Sequence, residues 1–135
     1  MVSRGSGRVL FTASTAALMP GPYYATYAAS KAFIQSFAQA IRHELTDTGV
    51  TVTSLLPGPT GTDFFDRAGM SDTPVGQGSK DDPRSVADQA FDGVMSGVAE
   101  VKTRSLKTRM QSVAAAVLPD RAKAVTHAGF TEPKG

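Results

Sequence analysis

Three hydrophobic patterns succeed one another within the first sixty residues, and their order restricts the fold more than any other feature of the chain. Val9 to Thr12 reads Val-Leu-Phe-Thr after Gly5 and Gly7. A short continuous apolar run of this kind predicts a strand buried on both faces of a parallel sheet. From Tyr27 the period changes. Phe33, Phe37, Ile41 and Leu45 recur every four residues and predict one apolar face of a helix, with Lys31, Gln35, Arg42 and Glu44 on other faces. Gly49 supplies a left-handed stop, and Val50 to Leu56 is a second strand, rich in β-branched residues and ended by Pro57 and Gly58. Strand, helix and strand in this order make a βαβ unit, so the fold class is α/β.

Further along, Asp82 followed by Pro83 predicts a helix start, with a side-chain cap and a proline in the first turn. Val86, Ala87, Ala90, Phe91, Val94 and Met95 give that helix an apolar face. Thr60 to Asp81 is long, polar and rich in Gly and Pro, and a loop of that length is usually functional or mobile. Val101 to Thr103 predicts a short strand, Leu106 to Leu118 a helix stopped by Pro119, and residues 119–135 a loosely ordered tail. With 135 residues and no internal repeat, the chain fits one domain.

Composition removes several classes of function. Fourteen Lys and Arg against twelve Asp and Glu give a net charge of +2, too slight to attract nucleic acid or an anionic membrane. The absence of Cys rules out disulfides, thiolate metal sites and cysteine nucleophiles. His43 and His127 are the only imidazoles, and His43, between Arg42 and Glu44, is expected to be a solvated residue near a helix end, so no metal site is expected. The longest apolar stretch, Val113 to Leu118, is far shorter than a membrane span, and the N-terminus has no apolar signal core. A cytoplasmic location is the expectation.

The residues with chemistry to offer are Ser14, Tyr27 and Lys31. Tyr27 and Lys31 stand four apart at the start of the long helix and project from one face. An ammonium close to a phenol favours its ionised form, and Lys31 is placed to act in this way. Ser14 follows the first strand, at the end where open α/β sheets bind ligands, and its hydroxyl can hydrogen-bond the oxygen of a carbonyl or alcohol.

The segments Gly7-Arg-Val-Leu-Phe-Thr-Ala-Ser14, Tyr27-Ala-Ala-Ser-Lys31-Ala and Val50-Thr-Val-Thr-Ser-Leu-Leu-Pro57-Gly58-Pro-Thr60-Gly-Thr62 together resemble the carboxyl half of the short-chain dehydrogenase/reductase family. The resemblance runs from about Gly5 to Thr62 and more loosely through the Asp82 helix. It implies the later half of a Rossmann-like, doubly wound parallel sheet with about three strands, and hydride transfer between NAD or NADP and a small carbonyl or alcohol substrate. By the same resemblance Tyr27 is the proton donor or acceptor, Lys31 eases its ionisation and binds the nicotinamide ribose, and Ser14 polarises the substrate carbonyl. Pro57, Gly58, Thr60 and Thr62 border the nicotinamide carboxamide. Met19, Tyr23, Tyr24, Phe64 and Phe65 flank the site in sequence and are candidate walls of a substrate pocket, with residues 60–81 as a substrate loop. The Ser14 to Tyr27 spacing is similar to the single-domain branch of the family rather than the extended, sugar-nucleotide branch.

One part of the family pattern is missing. A nicotinamide-binding fold of this kind presents a glycine-rich turn between a strand and a helix to the pyrophosphate. Gly5-Ser-Gly7 precedes a strand and Gly76-Gln-Gly78 lies in a loop, so neither has that context. The Asn-Ala-Gly segment and the helix Asn of the family's proton relay are also absent. The expectation is a partial domain, N-terminally truncated, with Met1-Val-Ser-Arg-Gly resembling the end of a preceding helix. Such a chain is either the catalytic half of an oxidoreductase, inactive alone, or a non-catalytic remnant that serves as an interaction or regulatory piece of a full-length relative. Copies are expected to associate, if they do, through the 27–45 helix.

Overall fold

A computed structural model describes residues 1–103 and 118–133. Three parallel strands, β1 (Gly7–Thr12), β2 (Val50–Leu56) and β3 (Glu100–Lys102), form a sheet in the order β1-β2-β3. Gly7 pairs with Val50 and Thr12 with Leu55, while Ser54 to Leu56 pair with Glu100 to Lys102. Helix α1 (Ala25–Glu44) joins β1 to β2. Two single-turn helices, α2 (Phe64–Arg67) and α3 (Pro74–Gln77), and the longer α4 (Pro83–Met95) lie between β2 and β3. Helix α5 (Asp120–Thr131) follows. The helix expected over Leu106 to Leu118 lies, apart from Leu118, outside the described residues. Among the described residues no helix is long and apolar enough to cross a membrane.

The two long helices cover opposite faces of the sheet. Ser54 meets Gln39 and Phe11 meets Phe37, so these strand residues face α1. Leu55, next in sequence to Ser54, packs with Val86 and Ala90 of α4 and with Val101. Neighbouring strand residues point to opposite faces. The chain therefore steps the same way across the sheet twice, β1 to β2 and β2 to β3, with its helices on opposite sides. The two crossovers must then have opposite hands, although such connections are nearly always right-handed. The long segment from Pro57 to Asp82 is what carries the chain to the other face.

Gly49 has φ +72°, as its expected role as a left-handed stop requires, and a Cβ there would stand 2.0 Å from the carbonyl oxygen of Gly5. Asp82 caps α4 by accepting the Ser85 N–H at 2.8 Å, ahead of Pro83. Val86, Ala90 and Gly93 are the buried residues of that helix, while Phe91 and Met95, expected on the inner face, are exposed.

Four expectations need correction. β1 is not buried on both faces: Arg8, Leu10 and Thr12 are exposed, because β1 is an edge of the sheet and α4 leaves Leu10 incompletely covered. The inward face of α1 is not the Phe stripe, since Phe33 and Phe37 are 69% and 43% exposed and stack on each other. The face turned to the sheet carries Ala28, Gln35, Ala38 and Arg42. Their polar members reach partners across the interface: Gln35 Nε2 donates to Glu100 Oε2, and Arg42 donates to the carbonyls of Val52 and Gly97. Residues 60–81 are not simply a loop. They contain α2 and α3, the latter capped by Thr73 Oγ1, which accepts the Gly76 N–H at 3.1 Å, and they close with a bridge between Thr60 and Asp81. Finally, most of the expected loose tail is α5, held by hydrogen bonds to the segment before α1.

Arg42 ties β2 to the turn before β3 through two charge-assisted bonds. Arg42→Ala is expected to lower the unfolding free energy by about 2 kcal/mol, because two carbonyls lose their donor. Urea denaturation checks this, and a change below about 0.5 kcal/mol would contradict it.

Candidate active site

The site lies beyond the carboxyl ends of β1 and β2, the usual ligand position in open parallel sheets. After Thr12 the chain enters a single 3-10 turn, Thr15–Leu18, capped by Ser14. Ser14 is buried, and its Oγ accepts the Ala16 N–H at 3.1 Å. The cap uses a lone pair and leaves the hydroxyl hydrogen without an acceptor among the described residues. A buried hydroxyl in that state is prepared to donate to a ligand oxygen.

Tyr27 and Lys31 come from the first turns of α1. Lys31 Nζ donates to the Thr12 carbonyl at 2.9 Å and stands 5.6 Å from the centre of the Tyr27 ring. Partial burial lowers the Lys31 pKa by disfavouring the charged form. The Tyr27 ring is held between Tyr24 and Phe64, with centroid distances of 5.9 and 5.1 Å.

The third wall is the turn after β2. Thr15 N–H donates to the Pro57 carbonyl at 3.0 Å, which ties the Ser14 turn to the Pro57-Gly58 turn. Gly58 N–H donates to Thr103 Oγ1 at 3.3 Å, and Thr103 donates to Asp81 Oδ2 at 3.1 Å. Asp81 N–H in turn donates to the Pro59 carbonyl at 2.7 Å. The Thr60 hydroxyl donates to the Gly58 carbonyl at 3.0 Å, and Thr62 Oγ1 accepts the Phe64 N–H at 3.4 Å. Both hydroxyls therefore hold the turn in shape. The Thr60 N–H has no partner among the described residues and remains as a backbone donor at this wall.

Ser14, Tyr27, Lys31, Pro57, Gly58, Thr60 and Thr62 all border one cavity of about 380 Å³. Met19, Tyr24, Phe64 and Phe65 add apolar surface to it, as the sequence suggests. Tyr23 does not border it. Its backbone has φ +66°, its side chain is exposed, and its hydroxyl donates to Glu132 Oε1 at 2.9 Å. That carboxylate raises the Tyr23 pKa through the hydrogen bond and its charge.

Several residues of the site carry no sequence signal. Met70 and Val75 enter from the α2–α3 segment, and Asp81 and Thr103 brace the turn from outside the expected motif. His127 and Thr131 of α5 also reach the cavity. The Thr131 hydroxyl donates to the Pro22 carbonyl at 2.9 Å, and His127 Nδ1 lies 2.9 Å from the Pro20 carbonyl. Burial lowers the His127 pKa, opposed in part by that bond.

An unfolded His takes up a proton near pH 6.5, whereas docked His127 resists it, so acidification through that value favours undocking of α5, and the penalty stops growing below the folded pKa. Protection factors of α5 amides are expected to fall between pH 7.5 and pH 5.0 while those of α4 hold. Equal α5 protection at both values would contradict the docking role of His127.

Comparison with known proteins places the chain in a family. The sequence model of the family described as short chain dehydrogenase matches residues 1–73. A short-chain type dehydrogenase/reductase from Picea abies is 37% identical over 83 residues, 62% of this chain and 30% of the spruce protein. The crystal structure of a short chain dehydrogenase from Burkholderia cenocepacia in complex with NADP superposes with a TM-score of 0.73 at 25% identity, covering 96% of this chain and 50% of that one. A 3-oxoacyl-[acyl-carrier protein] reductase with bound NAD from Brucella melitensis gives a TM-score of 0.57 at 26% identity, over 75% of this chain and 41% of the other. The chain thus spans half or less of the length of these relatives. A family match over more than half of the chain, and a parallel sheet that superposes on solved members, show that the chain belongs to the short-chain dehydrogenase family.

Proposed function

We propose that this chain carries the catalytic half of an NAD(P)-dependent oxidoreductase acting on a small carbonyl or alcohol. The observation that supports it is the convergence of Ser14, Tyr27, Lys31 and the Pro57–Thr62 turn on one cavity. When bound, NAD(P) supplies or takes up a hydride. Every other task falls to residues of this chain. In reduction, Ser14 donates a hydrogen bond to the substrate oxygen and Tyr27 gives that oxygen its hydroxyl proton; in oxidation Tyr27 takes the proton from the alcohol. The Lys31 ammonium, beside the Tyr27 ring, stabilises the phenolate left after proton transfer. The Thr60 N–H, without a partner among the described residues, fits the carboxamide end of a nicotinamide, Gly58 leaves room for its close approach, and Lys31 fits its ribose. Met19, Tyr24, Phe64 and Phe65 give the substrate an apolar surround that excludes water.

No glycine-rich turn follows a strand and opens a helix among the described residues, so the pyrophosphate end of the cofactor finds no matching cradle there. That observation favours a second role, in which the chain is a non-catalytic interaction piece. The exposed, stacked Phe33 and Phe37 support association through the 27–45 helix in either role. The deciding experiment follows nicotinamide absorbance with a panel of carbonyls and alcohols, for this chain alone and joined to a glycine-rich dinucleotide-binding segment of a relative. Turnover in the joined protein supports the catalytic role. A folded joined protein that binds the cofactor and turns over nothing supports the other.

A further inference from the structure

Tyr24 and His127 come from distant parts of the sequence and meet at the wall of the cavity. His127 Nδ1 lies 2.9 Å from the Pro20 carbonyl, and the Tyr24 hydroxyl oxygen lies 2.6 Å from His127 Nε2 and 3.4 Å from Nδ1, so Nε2 is its nearer partner. A carbonyl oxygen can only accept, so Nδ1 carries the hydrogen, and in the neutral ring Nε2 is then a bare lone pair. The hydrogen between Tyr24 and Nε2 must belong to Tyr24. Burial favours the uncharged imidazole at neutral pH. The Tyr24 phenol is itself pushed well up, first by burial and then by neighbouring Tyr27, and so keeps its proton. The ring edge of His127 against Tyr24, centroids 5.4 Å apart, holds the pair in this arrangement.

With its hydrogen committed to His127, Tyr24 can offer the cavity only a lone pair. Around it the surface is apolar, with Met19, Phe64 and Met70 bordering the same space. The Tyr24 and Tyr27 rings are 5.9 Å apart and border the same cavity, close enough for one ligand to meet both.

We infer that His127 turns Tyr24 into a fixed hydrogen-bond acceptor, and that the site thereby selects apolar carbonyl substrates carrying a hydrogen-bond donor, such as a hydroxyl, a few atoms from the reacting carbon. The inference rests on the proposed substrate pocket and assigns its polarity at one wall. Tyr24 contacts the ligand; His127 acts through Tyr24 and is a positioning residue. A site built to bond a substrate hydroxyl discriminates against analogues without one, because the unmatched polar group is left in an apolar surround.

The test compares acetophenone, its 3-hydroxy and 4-hydroxy derivatives and the corresponding methoxy ethers. Binding to the full chain is measured by saturation-transfer NMR without cofactor, so the readout is independent of turnover. At least one hydroxy derivative is expected to bind about tenfold more tightly than both acetophenone and its own ether, which can accept but not donate. Tyr24→Phe and His127→Phe should bring that ratio close to one. Nitrogen-15 shifts of wild-type His127 at pH 7.5 should report the Nδ1–H form, a readout that needs no variant. Equal affinities across the series, a ratio that survives in Tyr24→Phe, or an Nε2–H form of His127 would overturn this inference and leave the proposed catalytic role standing. If none of the probes binds, the pocket assignment falls and this inference with it.

Discussion

Tyr27→Phe is expected to reduce turnover about a thousandfold in a protein that joins this chain to a dinucleotide-binding segment, with cofactor affinity changed less than about twofold. The substitution removes the oxygen that, on the proposed mechanism, exchanges a proton with the substrate, and keeps the ring that packs against Tyr24 and Phe64. Lys31→Ala should differ in kind. Lys31 stands beside the Tyr27 ring and anchors to the Thr12 carbonyl, so its loss should lower both turnover and cofactor affinity. Initial rates at saturating substrate, with NADPH fluorescence titrations of both variants, separate the two effects. Turnover in Tyr27→Phe within fivefold of the wild type would remove Tyr27 from the chemistry.

The 135 residues alone are expected to show no measurable dehydrogenase turnover, at best very weak binding of NADH or NADPH, and self-association. Catalytic groups without an aligned hydride donor achieve little, and the described residues offer no glycine-rich cradle to align one. Association follows from β1, whose outer edge has no strand partner among the described residues and whose Leu10 is exposed beside it. Phe33, Phe37, Phe91 and Met95 add exposed apolar surface. Light scattering gives the oligomeric state, fluorescence titration the cofactor affinity, and absorbance the turnover. A monomer that binds NADPH at micromolar concentration and reduces a carbonyl would contradict this expectation on every count.

The strands and the starts of the long helices were legible because their signals are local. Val50 to Leu56 is a β-branched run ended by Pro57, and Asp82-Pro83 is a cap followed by a first-turn proline. The same cap signal stands at Thr73-Pro74, within a segment whose Gly content suggested only a loop. The orientation of α1 was not legible. A four-residue spacing of Phe33, Phe37 and Ile41 looks alike whether the stripe meets a sheet or solvent. The face that does meet the sheet includes Gln35 and Arg42, whose partners are the Glu100 side chain and two backbone carbonyls distant in sequence. In the site, Ser14, Tyr27 and Lys31 stood out because a motif in the right order joined them. Thr103, Asp81 and His127 did not, since each acts through hydrogen bonds to residues distant in sequence and no periodicity records such contacts. Helix α5 was missed for the same reason: its hold on the molecule is polar and long-range.

On the proposed mechanism Tyr27, assisted by Lys31 and Ser14, exchanges a proton with a substrate oxygen while a hydride moves to or from the attached carbon. The most direct test is label transfer in the joined protein, with NADPH deuterated at the nicotinamide C4 position and a ketone drawn from the activity panel. One deuterium is expected on the carbinol carbon of the alcohol for each NADPH oxidised, and almost none formed over the same time by Tyr27→Phe. NADPH oxidation without deuterium in the product, or label transfer at an undiminished rate in Tyr27→Phe, would contradict that mechanism.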